Sequence, residues 1–277
     1  MTSPATLAGF AAAVAALFGI GALAGNVIHP AAPGGEAEAK MGHGEMTAMA
    51  VRGLAVAENG LRVVVSNPEL SRGRTEQLRF RILDDKGNAV RDFDVEHTKR
   101  MHLILARRDL TGFQHLHPTM SADGTWSVQV RLRDAGSYRL FADFSREGTP
   151  TTLADDLRVD GTADLLPLPV PTAMAKSAGG YDVRLDGGTA HAGEESTLRF
   201  SITKDGRPVK TEPYLGAGGH LVALRAGDLA FLHVHPTEDD AAIGFDATFP
   251  NAGAYRLFLQ FQVDGVVQTV AFTQEVR

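Results

Sequence analysis

Three blocks of this sequence occur twice, in the same order. QLRFRILDDKGNAV (77–90) returns as TLRFSITKDGRPV (197–209), and MHLILARRDLTGFQHLHPT (101–119) returns as GHLVALRAGDLAFLHVHPT (219–237). AGSYRLFADF (135–144) returns as AGAYRLFLQF (252–261), and the offset stays between 117 and 120 residues throughout. That is a tandem duplication of a unit of about 100 residues. The fold must therefore close a core within one such unit and do so twice. The units are read as 51–162 and 181–277. Between them, 163–180 carries the Pro-rich LLPLPVP, a semi-rigid spacer with no room for a regular element.

Within each unit the apolar residues alternate. Leu61-Val63-Val65, Leu78-Phe80-Ile82, Met101-Leu103-Leu105 and Trp126-Val128-Val130 have the period of two that marks half-buried strands. Turn residues separate them: Asp85-Lys86-Gly87-Asn88, Ala122-Asp123-Gly124 and Asp134-Ala135-Gly136 in the first unit, Lys204-Asp205-Gly206 and Asn251-Ala252-Gly253 in the second. The expected fold class is all-β: two tandem β-sandwiches of immunoglobulin or cupredoxin type, about seven short strands each.

A different segment precedes them. Leu7 to Ile28 is a run of 22 residues without a charge. As a helix it would span about 33 Å, enough for a hydrocarbon core of ~30 Å. Residues 1–28 are read as one N-terminal transmembrane anchor, with a signal peptide cleaved near Ala22-Leu23-Ala24 as the alternative. Both readings carry the β domains across a membrane; the first leaves the protein on the cell membrane in a single pass, the second secretes it. Residues 29–50 read as a flexible tether containing Met41, His43, Met46 and Met49, soft groups more typical of a linker than of a site.

The chain has no cysteine. This excludes disulfides, thiolate zinc sites, cysteine-ligated iron–sulfur clusters, a cysteine nucleophile and blue copper. A net charge of −6 argues against a nucleic-acid partner. Imidazole is left as the main ligand type, and six of the ten histidines fall in two triplets. His102, His115 and His117 recur as His220, His233 and His235, both spaced H-x12-H-x-H-P. On a hairpin turning at Asp109-Leu110, His102 lies opposite His117 and diagonal to His115, on one face. The same holds for His220, His235 and His233 about Gly227-Asp228. Three imidazoles so placed can converge on one ion with bonds of ~2.0–2.1 Å. The copies differ at Met101/Gly219, Gln114/Leu232 and Met120/Glu238, yet all three histidines and the following Pro-Thr are shared. Met101 and Met120 flank the first triplet as potential soft ligands, while Asp109 and Asp228 read as turn formers.

The HL(I/V)-x-R-DL-x-F-x-H-x-HP core followed by AG-x-YRLF resembles a family of bacterial exported or membrane-anchored heavy-metal-binding proteins, similar to YtkA-like and cupredoxin-like β domains. The resemblance covers roughly 50–275 and implies an extracytoplasmic β-sandwich of the cell envelope associated with copper or another heavy metal. The expected function is a metal-binding protein that holds or delivers copper, with zinc as the alternative ion, through one three-His site per repeat. A metal transporter is the candidate partner. The alternative is a non-catalytic adhesion or scaffolding protein. A zinc hydrolase or hydratase is disfavoured, since no nucleophile elbow, phosphate loop or carboxylate pair accompanies the histidines. The oligomeric state is not legible.

Overall fold

The computed structural model describes residues 51–187, 189–232, 234–237 and 243–277, and of His235 the backbone alone. The anchor or signal read at 1–28 and the tether at 29–50 lie outside the described residues. Among the described residues every regular element is a strand, and no helix is long and apolar enough to cross a membrane.

The first repeat contains ten strands: β1 (Ala57–Glu58), β2 (Leu61–Val65), β3 (Glu69–Leu70), β4 (Thr75–Leu83), β5 (His102–Arg107), β6 (Gln114–Leu116), β7 (Thr119–Met120), β8 (Trp126–Arg131), β9 (Gly136–Arg146) and β10 (Thr149–Val159). They form two sheets, ordered β1-β2-β4-β8-β7 and β3-β10-β9-β5-β6. The second repeat has β11 (Met174–Lys176), β12 (Asp182–Asp186), β13 (Glu195–Lys204), β14 (Arg207–Pro208), β15 (His220–Arg225), β16 (Phe231–Leu232), β17 (His235–Pro236), β18 (Ile243–Thr248), β19 (Gly253–Val263) and β20 (Val266–Val276). Their sheets run β11-β12-β13-β18-β17, with β14 on β13, and β16-β15-β19-β20. One correction concerns the spacer: β11 pairs with β12, so the second sandwich begins inside 163–180. The Pro-rich run itself carries no strand.

The alternation explains the cores. Leu78, Phe80 and Ile82 of β4 point inward and meet Leu103 and Leu105 of β5 and Leu140 and Ala142 of β9, all buried. In the second repeat Leu198, Phe200 and Ile202 meet Leu221, Ala223, Leu257 and Leu259 in the same way. Burying each such side chain is worth roughly 1.5–3 kcal/mol. Trp126 closes the first core edge-on against Phe93, with ring centroids 5.3 Å apart.

β5 and β15 are buried on both faces. Their inward residues belong to their own sandwiches, whereas Ile104 and Ala106 of β5 pack with Val222 and Leu224 of β15 in a third apolar cluster. That cluster also takes Leu110, Phe141 and Ala154 from the first repeat and Leu229, Phe231 and Phe258 from the second. Phe113 stacks on Phe258 at 4.1 Å and 6°. The two repeats thus join sheet to sheet within one compact unit, Ala48–Arg277. The histidine face of the β5–β6 hairpin looks into that junction.

Candidate metal centre

The β5–β6 hairpin sets the first triplet. Leu103 pairs with Leu116 and Ile104 with His115. His102 and His115 therefore share the face opposite Leu103 and Leu116, and the same register sets His117 opposite His102 just beyond the strand. The turn is fixed by Asp109, which accepts from the Thr111 amide at 3.2 Å and the Thr111 hydroxyl at 2.7 Å. Arg107 pairs with Asp109 at 3.1 Å, with side-chain exposures of 4% and 3%. Asp109 is thus a turn former. Met101 is buried in the first core and Met120 packs against it, so neither thioether lies on the imidazole face.

His102, His115 and His117 each offer a ring nitrogen within 4.8 Å of the other two. The rings meet their surroundings through their nitrogens. His115 Nδ1 lies 2.7 Å from Gln260 Oε1, and Gln260 Nε2 in turn donates to Thr269 Oγ1 at 3.2 Å. His102 Nε2 lies 3.2 Å from the Glu96 carbonyl, an acceptor only, so this nitrogen carries a proton. His102 Nδ1 and His115 Nε2 face each other at 3.0 Å, a distance that one shared proton bridges as an N–H···N hydrogen bond and at which an ion can replace that proton. An ion can sit one metal–nitrogen bond, ~2.0–2.1 Å, from both. His117 Nε2 is buried without a hydrogen-bond partner, a third donor of the same kind. The far sides of the His102 and His115 rings have the usual outer support of metal-ligating imidazoles, a backbone or side-chain carbonyl.

Burial disfavours protonation of two of these rings. Burial holds His115 well below the usual histidine range, and the neighbouring His102 and His117 add to the effect. Burial, followed by His102 and Lys99, pushes His117 down to about 4. Neutral imidazole is the form that ligates. The cross-strand partner of His102 is Asp143, which is partly buried. Burial pushes this carboxyl up, while the Thr152 hydroxyl donates to it at 2.7 Å.

Of the second triplet, the ring of His220 is the one described. His220 opens β15, but its ring lies beside the first triplet, with centroids 6.3 Å from His102 and 6.2 Å from His115. Its Nε2 is buried and unpartnered, and burial, then His97 and His102, lower it to about 4. The expected hairpin partner departs: β16 stops at Leu232, and the His235 backbone pairs with Asp246 of β18 in the opposite sheet. The expected register, with His235 opposite His220 on a β15–β16 hairpin, is therefore corrected, because the chain has already crossed between sheets. His233 lies outside the described residues.

Two contributors escaped the spacing argument. His97, whose ring centroid is 4.9 Å from that of His220, sits in a loop at φ 45°. Its counterpart in the second repeat is Leu215, so no repeated signal marks it. Gln260 aligns with Asp143, and that equivalence could have pointed to it. Glu96, His97, His102, His115, Asp143 and His220 line a cavity of about 40 Å³, with Leu221, Val222, Phe231 and Val234 on its apolar side. It admits water-sized occupants, far short of the ~300 Å³ or more of an organic-ligand pocket.

No curated protein matches the sequence. Among solved structures it is similar to the Escherichia coli adhesin FdeC, at 18% identity and a TM-score of 0.28 over 80% of this chain and 66% of that one. Salmonella alpha-2-macroglobulin reacted with methylamine gives 13% and 0.29 over 82% of this chain and 15% of that one. The Yersinia pseudotuberculosis adhesin InvE gives 12% and 0.24 over 80% and 60%. The chain thus spans less than two thirds of each of these proteins. A family model, Domain of unknown function (DUF8832), matches at 55–161 and again at 176–277. With both repeats matched, the chain belongs to the DUF8832 family.

Proposed function

We propose that this protein binds a transition-metal ion, copper with zinc as the alternative, through His102, His115 and His117. The observation that carries this reading is the convergence of one ring nitrogen from each of the three histidines within 4.8 Å of one another, with His117 Nε2 buried and unpartnered. Acceptors behind two of the rings, the Glu96 carbonyl and Gln260 Oε1, hold their orientation. Burial disfavours protonation of His115 and His117, which leaves nitrogen lone pairs for an ion. Neutral imidazoles suit copper and zinc, with copper(II) bound most tightly in the usual order. The ion would supply a positive charge shared among the three nitrogens; Glu96 and Gln260 hold the rings in place.

The reading extends to a holding or delivery role in the cell envelope, with immunoglobulin- or cupredoxin-like sandwiches outside the membrane and a transporter as partner. That extension rests on the sequence of 1–28 and on the resemblance to exported heavy-metal-binding proteins. A hydrolase or hydratase is disfavoured because no nucleophile elbow, phosphate loop or carboxylate pair accompanies the histidines in the sequence. The competing reading is a non-catalytic adhesion or scaffolding protein, in which the imidazoles merely fill a junction between two sandwiches. Two of the similar structures are named as adhesins, but similarity at that level passes on no activity.

The test is titration of the untagged full chain with copper(II) and zinc(II) against a chromophoric chelator, beside His115→Ala. Binding by the natural sequence that weakens by about 100-fold or more in the variant supports the metal reading. No binding of either ion, or equal binding in both proteins, overturns it in favour of the scaffold.

A further inference from the structure

We infer that His220 of the second repeat supplies a fourth ligand to the centre, so that a single ion bridges the two repeats. The inference rests on the metal reading above and goes beyond it, because it changes the site from a property of one sandwich to a property of the junction.

Three observations carry it. First, His220 Nε2 is buried with no hydrogen-bond partner, although its ring lies 6.2–6.3 Å, centroid to centroid, from two members of the triad. An unpartnered buried polar atom is costly, and an ion held by the triad would use its lone pair. Second, the junction already supplies support from the second repeat: Gln260, the cross-strand partner of His220, is the residue that orients His115. Third, the approach to His220 differs from the approach to His102. His102 follows His97-Thr98-Lys99-Arg100-Met101, ending on a core methionine, whereas His220 follows Leu215-Gly216-Ala217-Gly218-Gly219. Gly216 has φ 84°, and three glycines in five residues give the segment more backbone freedom than 97–101, although Tyr214 and Ala217 exchange two backbone hydrogen bonds at its start.

That freedom is needed. The nitrogens of His220 lie outside the 4.8 Å group formed by the triad, so ligation requires His220 to move inward and draw the 215–219 loop with it. The expected product is a closed, four-imidazole site, which favours retention of the ion over catalysis at an open position. The chain would hold one ion, and its binding would tighten the contact between the sandwiches.

X-ray absorption of the metal-loaded full chain counts imidazole ligands directly and needs no variant. Four imidazoles, with increased hydrogen-exchange protection of 213–220 on loading, support the inference. Three imidazoles with unchanged protection overturn it while leaving the triad reading intact. His220→Asn is the second arm: a fall to three imidazoles and an affinity lower by at least about tenfold supports it, and an affinity equal to that of the natural sequence overturns it. If copper(II) and zinc(II) bind neither protein, the metal reading itself fails and this inference falls with it.

Discussion

The two repeats share a framework and differ at the end of one hairpin. In the first, β6 continues to Leu116, which keeps His115 beside His102 and brings His117 into reach. In the second, β16 ends at Leu232 and the His235 backbone is already paired in the other sheet. The cross-strand partner of the leading histidine is Asp143 in one repeat and Gln260 in the other, although the supporting Thr152 and Thr269 are shared. Met101 fills the first core, whereas Gly219 allows β15 to lie close to its neighbours. The duplication kept the inward residues and changed the edges. One repeat supplies the triad, and the other supplies its outer support and cover.

The contrast is sharpest energetically at the two hairpin turns. Arg107→Ala would strand the carboxylate of Asp109 in a buried setting and remove donors to the Ala135 and Asp164 carbonyls. A loss of about 3–5 kcal/mol is expected on chemical denaturation. The corresponding pair in the second repeat, Arg225 and Asp228, is more exposed, at 18% and 40%. Arg225→Ala should therefore cost only about 1 kcal/mol. Equal losses would show that the two turns are not held differently.

Next in size is Gly219→Ala. A Cβ there would stand 2.9 Å from the Gln260 carbonyl oxygen and 3.0 Å from Ile243 Cγ2. Overpacking should destabilise the protein by about 1–3 kcal/mol, whereas Met101→Leu, conserving volume, should cost less than about 1.5 kcal/mol. Thermal melts of the two variants would compare the sites.

Gln260→Leu removes the acceptor behind His115 without touching a ligand nitrogen. Metal affinity should fall by about 10- to 100-fold, and Gln260→Glu, which restores an acceptor, should recover most of it. If Gln260→Leu binds as tightly as the natural sequence, the second repeat contributes nothing to the centre.

The smallest effect is in the pH profile. His117 and His220 are lowered to about 4 by burial, against ~6.5 in an unfolded chain. Between those values the unfolded chain binds more protons than the folded one, so stability rises with pH. The metal-free protein should therefore lose stability as pH falls from about 6.5 toward 4, and the slope should flatten below. The bound ion should meet proton competition near pH 4 rather than near 6.5, the onset expected for exposed imidazoles. Release centred near 6.5 in a pH titration of the loaded protein would contradict the burial of these rings.

Much of the fold was legible because alternation such as Leu78-Phe80-Ile82 leaves few options besides half-buried strands. The first triplet was legible because strand register is simple arithmetic once the turn at Asp109-Leu110 is located. The junction was harder to read. HLILAR and HLVALR are nearly continuous apolar runs, which signal strands buried on both faces, but a run does not name what covers the second face. His97 has no repeated counterpart, and the crossing of the chain after Leu232 depends on backbone pairing that the shared H-x-H-P cannot reveal.

The central claim is that the imidazoles serve one ion at the junction. Its most direct test is a count of tightly bound copper or zinc per chain by native mass spectrometry on the untagged protein, beside His115→Ala and His233→Ala. This account predicts one ion for the natural sequence, none for His115→Ala and one for His233→Ala. Two ions in the natural sequence, with one lost in each variant, would contradict it by showing that each repeat holds its own.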